Sequence, residues 1–397
     1  MIKHLTKFST SEEYYAFIQS GVTLPNVSLV GDFYGGDYNV EYWTDETENY
    51  LWMSALEDGQ ITFTIPSKNQ TANIQYFSWS KDNGTTWETV NNVDNQQVVA
   101  NINVKCLDKV IFKAECESGT NYTTKASETS STPCVFTSTC RVNLGGNLAS
   151  LMYGDNFVGV TTMKTSASHA FFTLFSDLKV IDASCLVLPF TTLTNAIYQK
   201  LFYNNNTLVV APRCLPAKSL SQQAYVSMFL DCPSLIKGPQ ILCTTIGKSA
   251  MTSMFRGCVS LTEAPVISAT TTLGQSCCFR MFSGCTGLTK VQTRFPNVAL
   301  NTYCYYGMYD GCTSMTTAPV LPSPTLKGNC YGNMFKGCSN LSYIKALFTT
   351  TPSDTYTANW VDGVSANGTF VKKTGASWDV TGVNGVPAGW TVETASS

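Results

Sequence analysis

The sequence predicts a multidomain α+β chain: a small N-terminal β-sandwich, then a solenoid of repeated coils, then a C-terminal cap. Three observations carry that expectation. A self-similar unit recurs about every 27 residues in the second half, apolar and polar residues alternate between Gln60 and Ala114, and the composition suits stacked cores. At 397 residues and 44% hydrophobic, the chain exceeds one ordinary domain and can bury more than one core.

Residues 1–45 read as an N-terminal attachment or oligomerisation segment. Ser9, Thr10 and Ser11 precede Glu12 and Glu13, an N-cap followed by acidic residues in a first helical turn. Tyr14, Phe17 and Ile18 give that helix, which runs to about Gln19, one apolar side.

Residues 46–116 read as an immunoglobulin-like sandwich. Alternation in Ile61–Ile65, Asn73–Trp79, Gln97–Ala100 and Lys109–Lys113 places every second side chain on one face, as a half-buried strand requires. One hairpin carries Ser80, Asp82, Gly84, Thr86 and Trp87, a pattern similar to the Asp box of sialidases and propeller proteins. There Asp82 would bond turn amides, Gly84 would permit the bend and Trp87 would pack beneath. It is a turn device, and a glycosidase needs paired carboxylates besides.

Residues 117–150 read as linker and solenoid entry, because the run from Glu117 to Ser138 is polar and poor in large apolar side chains. Residues 151–350 hold the repeat. Met228-Phe229, Met254-Phe255, Met281-Phe282, Met308-Tyr309 and Met334-Phe335 follow one another at 26, 27, 27 and 26 residues, within the leucine-rich-repeat range of roughly 20 to 29. Leu174-Phe175 and Leu201-Phe202 are earlier copies and Trp360 a later one, so six to seven coils are expected from about Leu174 to Leu347, with a cap over 351–397.

Within a coil, Cys277, Met281 and Cys285, like Cys304, Met308 and Cys312 or Cys330, Met334 and Cys338, are spaced four apart, which reads as one stripe of a helix. Gly257, Gly284, Gly311 and Gly337 stand where that helix would end, with Asp231 and Asn204 at the same place in earlier coils. An apolar residue three beyond the cysteine (Leu235, Leu261, Leu288, Met315, Leu341) opens a short strand. Pro212, Pro239, Pro265 and Pro319 fall in one column inside it and must keep it very short, since proline donates nothing to a ladder. A single coil cannot bury both faces, so neighbours must stack.

Of the 16 cysteines, ten lie between Cys232 and Cys338, mostly in register with the repeat, and there is no C-x-x-C. The only histidines are His4 and His169. Burial as small apolar side chains is the favoured reading over a disulfide or metal ladder, because Ala224 and Ala250 replace cysteine in two coils. Cys106, Cys116, Cys134 and Cys140 are read as free thiols, with a bridge among them left open. No metal and no cofactor is expected.

Twenty-five basic and 27 acidic residues, with no basic cluster, argue against nucleic acid as partner. The first residues lack the apolar core of a secretory signal, and no apolar stretch is long enough to span a bilayer. Synthesis in the cytosol without membrane insertion is the expectation.

The units from Met254 to Ile267 and from Met308 to Leu321 closely resemble the BspA-type leucine-rich repeats of Bacteroides surface proteins and of phages infecting those bacteria. The segments Asn359–Phe370 and Gly385–Val392 resemble the module that closes such arrays, and Phe136–Cys140 and Leu151–Phe157 resemble the entry to their first coil. Two departures stand out: Gln292 replaces the column proline, and the coil at Leu201 lacks the Gly-Cys pair. The opening, Met1–Tyr14 with Leu24–Val30, resembles the N-termini of virion fibre and decoration proteins of crAss-like and related Bacteroides phages.

The resemblance implies a non-enzymatic virion protein, a head fibre, tail fibre or decoration, assembled in the host cytoplasm and displayed on the virion surface. It would attach to other virion proteins through its N-terminal region, form a homotrimer, and hold a host surface protein or glycan with its repeats. The alternative is a bacterial cell-surface adhesin. The residue column expected to face a ligand from the strands is Lys237, Glu263, Lys290, Thr317 and Tyr343.

Overall fold

The computed structural model describes residues 3–8, 38–43, 48–66, 74–92, 96–116, 133–163, 168–267 and 272–395. The helix expected up to Gln19, the segment Leu24–Val30 and the polar run 117–132 lie outside them. Strands β1 (Lys3–Phe8) and β2 (Tyr38–Trp43) pair antiparallel.

The next eight strands build two sheets: β3 (Leu51–Ala55), β4 (Gly59–Ile65), β5 (Ile74–Ser80), β6 (Glu88–Asn91), β7 (Val98–Val104), β8 (Lys109–Cys116), β9 (Val135–Ser138) and β10 (Val142–Asn147). One sheet runs β10-β3-β8-β5-β6 and the other β7-β4-β9. Alternation does here what the pleat requires: Ile61, Phe63 and Ile65 of β4 are fully buried while the residues between them are not. Phe63 closes the gap between the sheets, its ring centroid 4.3 Å from that of Phe77 across it and 4.3 Å from that of its strand neighbour Phe136.

Two boundaries differ from the sequence reading. Residues 133–147, expected as linker and entry, supply β9 to one sheet and β10 to the other. Moreover β10 pairs in parallel with β11 (Val180–Val187), so the six-stranded sheet continues without a break into the repeat region. The first coil is therefore roofed by the preceding unit, which covers an end that would otherwise expose unpaired backbone.

The larger correction concerns helices. Among the described residues the chain is nearly all β: only α1 (Ser150–Tyr153) and a 3-10 turn at Gly154–Asn156 are helical, and the expected coil helices do not form. The repeat region is a β-solenoid of about seven turns. Where a helix was expected, the backbone makes a run of tight turns with a four-residue period. In one coil Ser249, Ser253 and Gly257 have φ of 53°, 53° and 75°. The amides of Ser249, Met251, Ser253, Phe255 and Gly257 donate to Gln275, Cys277, Phe279, Met281 and Ser283 of the next coil at 2.8–2.9 Å. The amides between them bond three residues back, as Thr252 to Ser249 and Arg256 to Ser253.

An α-helix would spend every amide on the residue four back; here alternate amides leave the coil and tie it to its neighbour. A spacing of four fits this turn run directly, and fits a helix only over two turns. Residues tolerant of a left-handed backbone mark the difference: Asn329, Asn333 and Gly337, or Gly307 and Gly311, recur every fourth position with positive φ.

The other walls are short parallel ladders. One runs through Asp182, Val210, Lys237, Glu263 and Lys290. After the proline column a second begins, with β12 (Cys214–Leu215) beside β14 (Gln240–Ile241). A third joins β13 (Ser219–Leu220), β15 (Thr245–Ile246) and β16 (Thr272–Leu273). Where Gln292 replaces proline, its Oε1 accepts from the Ile267 amide at 2.9 Å and its Nε2 donates to the Arg294 carbonyl at 3.1 Å.

Inside runs a ladder of rings: Phe175, Phe202, Phe229, Phe255, Phe282, Tyr309 and Phe335, one per coil. From Phe202 to Phe335, neighbouring planes lie within 9° of parallel and centroids 5.2–6.0 Å apart. Such stacks add about 0.5–1.5 kcal/mol per pair to the burial of the rings. Trp360, fully buried, ends the ladder and donates from Nε1 to the Gly385 carbonyl at 2.8 Å. Within the expected cap, residues 351–397, the parallel sheet continues as far as Thr394: β17 (Tyr343–Ala346) pairs with β18 (Thr369–Lys372), and β18 with β19 (Thr391–Thr394).

Candidate functional site

The solenoid sets side chains at the spacing of its rungs, about 4.8 Å for paired strands. On the first ladder Val210 bridges Lys237, Lys237 bridges Glu263, and Glu263 bridges Lys290, all in parallel register. Thr317 bridges Tyr343 farther along, and β17 carries the line on to Thr369 and Thr391. Lys237, Glu263, Lys290 and Thr317 are exposed and Tyr343 is half-buried. The column thus has a paired run of alternating charge, Lys237, Glu263 and Lys290, and a separate paired run of hydroxyls and one phenol that starts at Thr317. Among the described residues no ion pair within 4.0 Å ties Lys237, Glu263 or Lys290 to a partner.

The Asp82 turn sits elsewhere, on the β5–β6 hairpin. Asp82 Oδ1 accepts from the Thr86 amide at 2.8 Å and from the Ser80 hydroxyl at 2.7 Å, and Oδ2 accepts from the Thr86 hydroxyl at 2.6 Å. The Ser80 hydroxyl oxygen in turn accepts from the Gly84 amide at 2.8 Å. Gly84 has φ +90°, and a Cβ there would stand 3.6 Å from the Trp87 ring. The bonds from Thr86 and Ser80 hold the Asp82 carboxyl down at about 2. Both oxygens of this carboxylate are engaged in the turn.

Beside that turn lies a polar cluster the sequence did not reveal, because its members are scattered along the chain. Asp155 accepts from Tyr50 Oη at 2.7 Å and from Lys113 Nζ at 2.8 Å, and that ammonium lies 4.1 Å from the Trp87 ring centroid. Burial, with the Asp155 bond second, pushes the Tyr50 phenol up to about 12; the Lys113 bond holds the Asp155 carboxyl down. These groups satisfy one another and fasten the segment after α1 to the sheet.

The thiols have a structural occupation. Cys232, Cys258, Cys285, Cys312 and Cys338 each donate to a carbonyl one coil earlier, those of Phe202, Phe229, Phe255, Phe282 and Tyr309, at 3.0–3.1 Å. In the coil that lacks the Gly-Cys pair, Asn205 Nδ2 donates to the Phe175 carbonyl at 3.0 Å in their stead. Burial raises every one of those five thiols above the usual cysteine range. No disulfide joins any of the 16 cysteines; Cys134 and Cys140 are buried and Cys106 is exposed. Among the described residues no group of three His, Cys, Asp or Glu is placed to hold a metal, and no helix is long and apolar enough to cross a membrane.

A second surface feature went unpredicted. Phe279 and Tyr306, stacked with planes 4° apart, lie half-exposed on the turn wall, with Tyr303 edge-on to both. Neighbouring coils carry Thr252 and Gly332 in the same line, a jump in size that a register of the turn wall would have shown.

No family model matches the chain, and no curated protein matches it. A crystal structure of a leucine-rich repeat protein from Bacteroides ovatus ATCC 8483 is similar over 66% of this chain and 86% of that one, at 14% identity and a TM-score of 0.20. The solenoid assignment rests on the rungs described above.

Proposed function

We propose that the protein is a non-enzymatic display protein whose solenoid presents the strand-wall column to a host surface protein or glycan. The single observation that supports this reading is the column itself: Lys237, Glu263 and Lys290 stand on adjacent rungs, exposed and without ion-pair partners among the described residues. Spacing fixed by backbone pairing lets several weak polar contacts form together without an ordering cost in the protein backbone.

In this reading the setting is a virion: a head fibre, tail fibre or decoration protein, attached through residues 1–45 and assembled as a trimer. That part rests on the resemblance of Met1–Tyr14 and Leu24–Val30 to phage fibre N-termini. Mass spectrometry and imaging of purified particles test it. Detection on the particle exterior agrees with it; absence from particles, with the protein found on the bacterial surface, replaces it with the adhesin.

A further inference from the structure

In the turn wall, one pair of thiols meets sulfur to sulfur across two coils. Cys277 and Cys304 occupy the same position in consecutive coils, and Cys277 donates its S–H to Cys304 Sγ with the sulfurs 3.7 Å apart. The thiols that bond Phe and Tyr carbonyls have a close oxygen partner each, whereas Cys277 points at another sulfur. Cys304 also receives the Asn301 amide at 3.3 Å, so its sulfur accepts two donors. Both residues are fully buried. The same line holds Ala224 and Ala250 in earlier coils, so the coil packs equally with no thiol there.

Adjacent rungs at about 4.8 Å fall within the Cα separation of roughly 4.4–6.8 Å that a disulfide spans. To bond, the sulfurs must close from 3.7 Å to about 2.05 Å.

We propose that Cys277 and Cys304 form an inter-coil cross-link site, reduced as the protein is made and oxidised to a disulfide when it meets a peroxide. Cys304, as the thiolate, attacks one peroxide oxygen; the O–O bond breaks, hydroxide leaves, and Cys304 becomes a sulfenic acid. The Cys277 sulfur then attacks the Cys304 sulfur, the S–O bond breaks, and water leaves. Two thiols and one hydrogen peroxide give one disulfide and two waters, the sulfurs losing two electrons and the peroxide gaining them. Burial makes the first step slow, because the thiolate forms only when the coils part transiently. The vicinal Cys278 is a poorer partner, since an eight-membered ring would distort the peptide joining it to Cys277.

The consequence is mechanical. A solenoid holds together through nearest-neighbour contacts, so a covalent tie between two middle coils makes their separation require rupture of a bond. A protein displayed outside a reducing cell would gain that tie only after release.

The test uses the full chain. Reduced protein is incubated with hydrogen peroxide at neutral pH, the remaining thiols are alkylated, and cross-linked peptides are mapped by mass spectrometry. The expected product joins the peptide holding Cys277 to that holding Cys304, with loss of two hydrogens. It should raise the melting temperature by a few degrees, reversibly on reduction. Cys277→Ala, which copies the residue that Ala250 supplies one coil earlier, should fold, lack the product and show no rise. A folded wild type whose oxidised cysteines map to other pairs, or to sulfinic acid with no link, overturns the proposal.

Discussion

Cys285 donates its thiol proton to the carbonyl oxygen of Phe255 at 3.0 Å, one coil earlier, and the same bond recurs in five consecutive coils. It gives the cysteine beside the turn a role: the inward carbonyl accepts the Cys258 amide of its own coil at 3.1 Å, and the thiol of the next coil adds a second, weaker donor that ties the two coils together. Cys285→Ala removes one of that carbonyl's two bonds, the Cys258 amide still donating to it at 3.1 Å, and should destabilise by about 0.5–1.5 kcal/mol. Cys277→Ala, where alanine already serves other coils, should cost clearly less. Urea unfolding of the two variants side by side checks the order; equal losses would deny the bond its role.

The ring ladder gives a larger effect. Phe255 stacks on Phe229 at 5.2 Å and on Phe282 at 5.5 Å, so Phe255→Ala breaks two stacks and opens a cavity in mid-solenoid. A loss of about 3–5 kcal/mol is expected. Thermal unfolding followed by circular dichroism measures it, and a shift no larger than that of an exposed site such as Thr317→Ala would contradict the ladder's part in stability.

The turn run makes a spectroscopic prediction. Because alternate amides bond to the next coil, far-ultraviolet circular dichroism should lack the double minimum of a helical repeat. Hydrogen exchange should protect Met251, Ser253 and Phe255 as members of an inter-coil ladder. A strong helical spectrum would return the coil helices to the fold.

Asp82 supplies a pH dependence of known sign. Its carboxyl lies below its ordinary value, at about 2, because the ionised form accepts the Thr86 and Ser80 bonds. The turn therefore gains from ionised Asp82 above the ordinary value near 3.8 and loses that gain as pH falls from there through about 2. Exchange of the Thr86 amide, or the chemical shift of Asp82 across that window, reads it; Asp82→Asn should remove the dependence while the sheets stay folded.

How much was legible follows from what each pattern specifies. Period-two alternation put Ile61, Phe63 and Ile65 on one face correctly, because a pleat has only one way to bury every second residue. The 27-residue period revealed the stack and its in-register cysteines. Spacing of four identified the right buried stripe but the wrong backbone, since Cys277, Met281 and Cys285 lie on one line in either geometry. The Asn, Ser and Gly residues at every fourth position carried the distinction. The cluster of Tyr50, Lys113 and Asp155 had no local signal at all, as its members meet only after three elements pack.

The proposed function turns on the strand-wall column. The direct measurement is adsorption of purified wild-type protein to host cells and to isolated surface glycans, against a Lys237→Ala, Lys290→Ala, Tyr343→Ala triple variant shown to be folded. At least a roughly tenfold loss of adsorption is expected, and wild type should lose adsorption likewise at high salt because exposed charges are screened. Adsorption by the folded variant equal to that of wild type would remove the column, and with it the proposed function of the solenoid.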